Sequence, residues 1–218
     1  MTKIATIALG AAIVIGAGAF LATQNRAPSM SPLAPALAQD ADADVELAPD
    51  MVLGAEDAPI ELIEYASFTC PHCANFHDTV FGQLKTDYID TGKVRFVHRE
   101  VFFDRFGLWA GLVARCGGEM RYFGITDMVY STQKEWIGDG QPETILDNLK
   151  GIGKKAGMSE EELTVCLEDK DLAASMIAAY QTNASADEVT GTPTLIINGE
   201  KYSNMSYEDL KDVLDGLL

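Results

Sequence analysis

The chain has 218 residues, of which 47% are hydrophobic and 22% are charged, a composition typical of a globular protein with a sizeable core. Its 16 basic and 33 acidic residues give a formal net charge of −17. Such an acidic surface keeps a protein in solution and argues against nucleic acid or anionic lipid as a partner.

The N-terminal segment predicts export. The run from Ile4 to Ala22 contains no charge and follows Lys3, which is typical of a secretory signal peptide or a membrane anchor. Ala36-Leu37-Ala38 matches the small-x-small pattern of a cleavage site. We therefore interpret residues 1–22 as signal or anchor, residues 23–50 as an Ala/Pro/Asp-rich linker, and the location as the periplasm.

Two cysteines lie where a predicted strand passes into a predicted helix. The segment from Pro59 to Tyr65 is β-prone, with alternating apolar residues. The motif Cys70-Pro71-His72-Cys73 follows, and the next apolar residues recur at helical spacing. Because a helix N-terminus carries partial positive charge, it stabilises a cysteine thiolate, which is the species that attacks disulfides. The pattern favours a redox-active dithiol.

Half of a zinc site is the alternative interpretation of this motif. Zinc usually takes four ligands, and the other two cysteines, Cys116 and Cys166, are isolated. His77, four residues after Cys73, offers a further ligand, but we expect it to be a histidine on the helix surface. We therefore expect no metal site.

The rest of the chain predicts an α/β domain interrupted by helices. Met51 to Gly54 is a candidate edge strand, and Val94 to Arg99 is a second main strand that would run parallel to the first. Residues 103–188 contain four or five predicted helices without a strand. Thr194 to Ile197 and Asn198-Gly199 then predict a hairpin, followed by a final helix after Ser206.

Residues 51–218 resemble the DsbA-like thiol:disulfide oxidoreductases. The resemblance depends on Glu64, the Cys-Pro-His-Cys motif, the helical insertion and Gly191-Thr192-Pro193-Thr194, in that order. It implies a thioredoxin-like fold, with Cys70 as the attacking cysteine and Cys73 as the resolving one. It also implies a cis bond before Pro193, no cofactor, and reoxidation by a DsbB-type membrane oxidase.

Three further roles accompany this resemblance. Glu64 would lie beneath the active site and assist proton transfer to Cys73, although it could simply face solvent on its strand. His72, between the two cysteines, would stabilise the Cys70 thiolate and make the disulfide more oxidising. The Thr192 backbone would pair with an extended substrate segment, and threonine here, where DsbA proteins often carry valine, leaves an isomerase open.

Cys116 and Cys166 lie on the apolar stripes of two predicted helices. In an oxidising compartment such a pair favours a structural disulfide. Two buried free thiols are the alternative.

The sequence thus predicts an exported oxidoreductase that introduces disulfide bonds into reduced, unfolded proteins through Cys70 and Cys73. A disulfide isomerase or reductase that uses the same pair is the first alternative. A binding protein is the second, either a metal carrier that uses Cys70, Cys73 and His77 or a redox-inert chaperone. Because no dimerisation domain is recognisable, we expect a monomer.

Overall fold

The computed structural model describes residues 45–218. The predicted export segment, residues 1–22, and most of the predicted linker lie outside these residues. Within residues 45–218, no helix has both the length and the apolar composition needed to cross a bilayer.

A five-stranded sheet forms the centre of the domain, with strand order β1-β3-β2-β4-β5. β2 and β3 are parallel, and the other neighbouring strands pair antiparallel. The strands are β1 Met51–Leu53, β2 Ile60–Ala66, β3 Val94–Glu100, β4 Thr194–Ile197 and β5 Glu200–Ser203. The predicted strands and their directions agree with this sheet.

One long helix joins β2 to β3 and begins at the two cysteines; we call it the active-site helix. It starts as an α-helix at Pro71–Phe76 and continues without a break to Ile89 through a π-helical turn at His77–Phe81, an α-helical turn at Gly82–Leu84 and a second π-helical turn at Lys85–Ile89. Its apolar face packs on one side of the sheet together with the C-terminal helix Tyr207–Asp215. This packing holds the start of the helix at the carboxyl end of β2.

Six helices lie between β3 and β4 and form the helical insertion. They are Arg105–Cys116, Glu119–Ser131, Gln133–Ile137, Pro142–Lys155, Glu160–Leu167 and Lys170–Ala186. The sequence predicts one helix from Met120 to Trp136. In the structure this helix is interrupted at Thr132, whose φ of −109° and ψ of 21° are not helical. The insertion shares a buried apolar cluster with Phe68, Cys70 and Cys73, so it forms one wall of the dithiol site.

The end of the predicted linker belongs to the domain. Ala48 is buried, and its N–H donates to the carbonyl of Ser175 at 3.2 Å. Asp50 accepts two hydrogen bonds from Arg99. The folded unit therefore begins before Met51, because these residues have partners on the helical insertion and on β3.

Candidate active site

Cys70 caps the N-terminus of the active-site helix. Its φ of −81° and ψ of 120° are extended, and Pro71 occupies the first helical position, where the missing N–H has no partner to lose. Both thiols are free; Cys70 is 8% exposed and Cys73 is fully buried. The two sulfurs therefore sit in different environments, one near solvent and one inside the core.

The two thiols have oppositely shifted pKa values. A hydrogen bond from Cys73 lowers the pKa of Cys70 to about 5, against the opposing effect of burial. The pKa of Cys73 is raised, first by its hydrogen bond to Cys70, then by burial and by the negative charge of Glu64. At neutral pH the pair holds one thiolate, on Cys70, and one thiol, on Cys73.

The loop before β4 closes the site on its other side. The peptide bond between Thr192 and Pro193 is cis. The Cys70 Sγ lies 3.6 Å from the carbonyl oxygen of Thr192, although the two residues are 122 positions apart. Pro193 has no N–H, so the proline itself contributes no backbone donor beside the sulfur.

Gln133 and Asp104 hold the loop that carries Cys70. The buried amide of Gln133 donates to the carbonyls of Phe68 and Cys70 at 2.8 and 3.0 Å. The hydroxyl of Thr69 donates to Asp104 at 2.8 Å. Neither residue was predicted from the sequence, because both contacts join segments that are far apart in the chain.

Glu64 and His77 form a buried pair beneath the cysteines. The Oε2 of Glu64 lies 2.9 Å from the Nε2 of His77, and their side chains are 0% and 3% exposed. The prediction that His77 lies on the helix surface is wrong. Residues four apart share one face of a helix, so His77 follows Cys73 inward, and its ring stacks on Tyr130 at a centroid distance of 4.1 Å.

His98 extends this polar cluster into the helical insertion. It pairs with Glu64 in the register of β2 and β3. Its ring nitrogens lie 2.7 Å from the hydroxyl of Tyr122 and 3.2 Å from that of Tyr130. Burial lowers the pKa of His98 to about 4, so its ring is neutral near pH 7.

The same buried cluster is the one to consider for a metal ion. Glu64, His77 and His98 each offer one ligand atom, all within 4.8 Å of one another. Both nitrogens of His98 already face tyrosine hydroxyls, and the Nε2 of His77 faces Glu64. We therefore assign no metal ligand among them.

The remaining predicted residues lie outside the buried cluster. His72 is exposed beside Cys70 at the start of the helix. Cys116 and Cys166 are joined by a disulfide, with 6.0 Å between their Cα atoms. This bond links the helices Arg105–Cys116 and Glu160–Leu167 within the insertion.

Comparisons with known proteins agree with this fold. A family model described as Thioredoxin matches residues 46–216. The crystal structure of Wolbachia pipientis alpha-DsbA1 superposes with a TM-score of 0.72 at 27% identity, over 79% of this chain and 92% of that one. The chain is a DsbA-like member of the thioredoxin family.

Two relatives outside Wolbachia extend the comparison. A Rickettsia bellii protein that carries the provisional name protein-disulfide oxidoreductase is 35% identical over 76% of this chain and 63% of its own length. Disulfide bond formation protein D of Bacillus subtilis is 25% identical over 75% of each chain. The chain thus spans less than two thirds of the Rickettsia protein.

Proposed function

We propose that this protein is an exported thiol:disulfide oxidoreductase that introduces disulfide bonds into reduced, unfolded proteins. The observation that carries the proposal is the asymmetric pair at the helix N-terminus. The pKa of Cys70 is lowered to about 5, whereas that of the buried Cys73 is raised. A thiolate stabilised in the reduced form makes the corresponding disulfide a stronger oxidant.

The reaction begins from the Cys70–Cys73 disulfide. A substrate thiolate attacks the Cys70 Sγ, a mixed disulfide forms at Cys70, and Cys73 leaves and takes up a proton. A second substrate thiolate then attacks the substrate sulfur of the mixed disulfide, and Cys70 leaves as a thiolate. The substrate loses two electrons and gains a disulfide, while the enzyme pair is reduced.

The other predicted residues take supporting roles in this scheme. The exposed His72 acts on the Cys70 thiolate, and Glu64 exchanges the proton of Cys73. Thr192 and Pro193 offer the backbone on which an extended substrate segment docks. The carbonyl of Thr192, 3.6 Å from the Cys70 Sγ, supports this placement, and no cofactor takes part.

Partners and location follow from the same proposal. The substrates are reduced, unfolded proteins in the periplasm, and a DsbB-type membrane oxidase restores the disulfide. Residues 1–22 serve as the signal peptide or membrane anchor, and the enzyme acts as a monomer. The names of the Rickettsia and Bacillus relatives support a role in disulfide chemistry.

The test uses a reduced, unfolded protein that gains activity only when its disulfides form. Cys70→Ser and Cys73→Ser should both abolish its oxidation, because neither variant can form the Cys70–Cys73 disulfide. With a protein that already contains disulfides, Cys73→Ser should accumulate mixed disulfides at Cys70, because attack by the Cys70 thiolate survives in that variant and resolution by Cys73 is lost. The matched control is Cys116→Ala with Cys166→Ala, which should keep the chemistry. Full activity in Cys70→Ser would refute the proposal.

A test protein that carries wrongly paired disulfides distinguishes an oxidase from an isomerase. If the protein rearranges wrong disulfides faster than it oxidises reduced thiols, the isomerase alternative is correct. Thr192, at a position where DsbA proteins often carry valine, is the residue that motivates this comparison.

A further inference from the structure

We propose that His77 is a positioning residue that keeps Glu64 in its carboxylate form, as the base that takes the proton of Cys73. The inference rests on the proposed function, because it concerns the reoxidation of the reduced enzyme, in which Cys73 attacks a mixed disulfide at Cys70 and restores the Cys70–Cys73 disulfide. Its evidence is the buried Glu64–His77 pair.

Within the part of the chain that the structure describes, the carboxylate of Glu64 has one hydrogen-bond partner. Its side chain is fully buried, and Oε2 lies 2.9 Å from the Nε2 of His77. Within residues 45–218, Oε1 has no hydrogen-bond partner. A buried carboxylate without a hydrogen-bond donor is costly, and His77 supplies the contact that Glu64 has in this structure.

The tautomer of His77 follows from the same contact. A carboxylate can only accept, so the Nε2 of His77 must carry the hydrogen. The Nδ1 atom is also buried and, among the described residues, has no partner. A neutral ring with its hydrogen on Nε2 satisfies the contact to Glu64 and leaves no second hydrogen buried without an acceptor.

Glu64 is within electrostatic reach of Cys73. The negative charge of Glu64 contributes to the raised pKa of the Cys73 thiol. His77 follows Cys73 by four residues on the same helix face, so the histidine holds the carboxylate on the side of the helix where the buried thiol lies. The unpartnered Oε1 is then the oxygen that is free to receive a proton.

Other ionisable groups surround the pair on β3 and on the helical insertion. They are His98, Glu100, Arg115, Tyr122 and Tyr130. The nitrogens of His98 face tyrosine hydroxyls, and Glu100 accepts two hydrogen bonds from Arg115 and one from Tyr122. These groups hydrogen-bond to one another, and within residues 45–218 none of them hydrogen-bonds to Glu64.

The proposed step balances as a proton transfer followed by a disulfide exchange. The thiol of Cys73 gives its proton to Glu64, which becomes a carboxylic acid. The Cys73 thiolate attacks the Cys70 sulfur of the mixed disulfide, a new S–S bond forms, and the bound thiol leaves as a thiolate. Cys70 and Cys73 together lose two electrons. The disulfide that Cys70 attacked to form the mixed disulfide gains them and is reduced to two thiols.

The test mixes the reduced protein with oxidised glutathione and follows both steps by rapid acid quench and mass spectrometry. Attack by Cys70 depends on the glutathione concentration and serves as the internal control. Attack by Cys73 does not depend on that concentration, and its rate is measured from pH 5 to pH 8 in wild type, His77→Leu, His77→Gln and Glu64→Gln. Glutamine at position 77 keeps an N–H donor but cannot titrate.

The proposal expects a flat profile for the Cys73 step in wild type and in His77→Gln. In His77→Leu and Glu64→Gln the step should be about a hundredfold slower at pH 7, as for loss of a general base. It should also rise about tenfold per pH unit, because solvent must then remove the proton. The rate at which Cys70 attacks oxidised glutathione should be the same in the three variants as in wild type.

Two results would overturn the inference. The first is a His77→Leu profile that follows wild type at every pH; the second is a His77→Gln profile that follows His77→Leu. If wild type itself fails to react with oxidised glutathione, the proposed function fails instead.

A measurement on the wild-type protein covers the case in which His77→Leu does not fold. The chain has three histidines, so nitrogen-15 NMR of the reduced protein can assign each ring, with His77→Gln identifying the signal of His77. A neutral ring with its hydrogen on Nε2 at pH 7 supports the proposal. A hydrogen on Nδ1 alone, or a doubly protonated ring, contradicts it.

Discussion

The ionisation of Cys70 should make the stability of the reduced protein depend on pH. The pKa of this thiol falls from an ordinary value of 9.0 to about 5 on folding. Between these values the unfolded chain binds a proton that the native chain does not, so the free energy of unfolding rises with pH. The contribution is complete above pH 9 and is lost as the pH falls through about 5.

The magnitude at pH 7 follows from the part of this range that lies below pH 7. Between about pH 5 and pH 7 the native chain holds the Cys70 thiolate while the unfolded chain holds the thiol. Over these two pH units the free energy of unfolding rises by about 2.7 kcal/mol, at about 1.36 kcal/mol per unit. Because the sulfur lies close to solvent, screening reduces the value to about 1–2 kcal/mol. The reduced protein should therefore be about 1–2 kcal/mol more stable at pH 7 than at pH 5 through this group alone.

The assay is urea unfolding of the reduced protein between pH 4 and pH 8, compared with reduced Cys70→Ser. The difference between the two curves removes the titration of all other groups. A difference that does not change with pH would refute the reasoning, since it would mean that Cys70 titrates alike in the folded and unfolded chains. The oxidised protein, which has no thiolate, should match the pH slope of the variant.

Two further predictions concern the packing around the site. Removing the disulfide with Cys116→Ala and Cys166→Ala opens a bridge between residues 50 positions apart and should lower the free energy of unfolding by about 2–4 kcal/mol, measured by calorimetry; an unchanged melting temperature would contradict this. Gln133→Leu removes the amide that donates to two carbonyls of the Cys70 loop and should cost about 1–3 kcal/mol. The exposed Gln141→Leu is its matched control, and equal losses of stability in the two variants would show that the buried amide has no special role.

The dithiol motif and its setting are local features, and sequence alone predicted them. A β-prone segment, the Cys-Pro-His-Cys motif and a helical period follow one another without a gap, so short-range rules suffice. The hairpin at Asn198-Gly199 was predicted for the same reason. Resemblance then supplied the thioredoxin-like fold.

Contacts between distant segments could not be predicted from the sequence. Gln133 reaches the Cys70 loop across 63 residues, and no local pattern distinguishes it from a surface glutamine. The breaking of the predicted helix at Thr132, which places Gln133 at the start of its own short helix, depends on how the insertion packs. Long-range packing can override local helix propensity.

His77 illustrates the difference between what the sequence predicts and what only the tertiary structure decides. Its spacing of four from Cys73 was visible in the sequence, and that spacing predicts a shared helix face. Only the tertiary structure decided that β2 and Tyr130 cover this face. Only the tertiary structure, likewise, placed the carboxylate of Glu64 2.9 Å from the Nε2 of His77. A helical period tells which residues share a face, but the identity of the groups opposite depends on segments that fold against it.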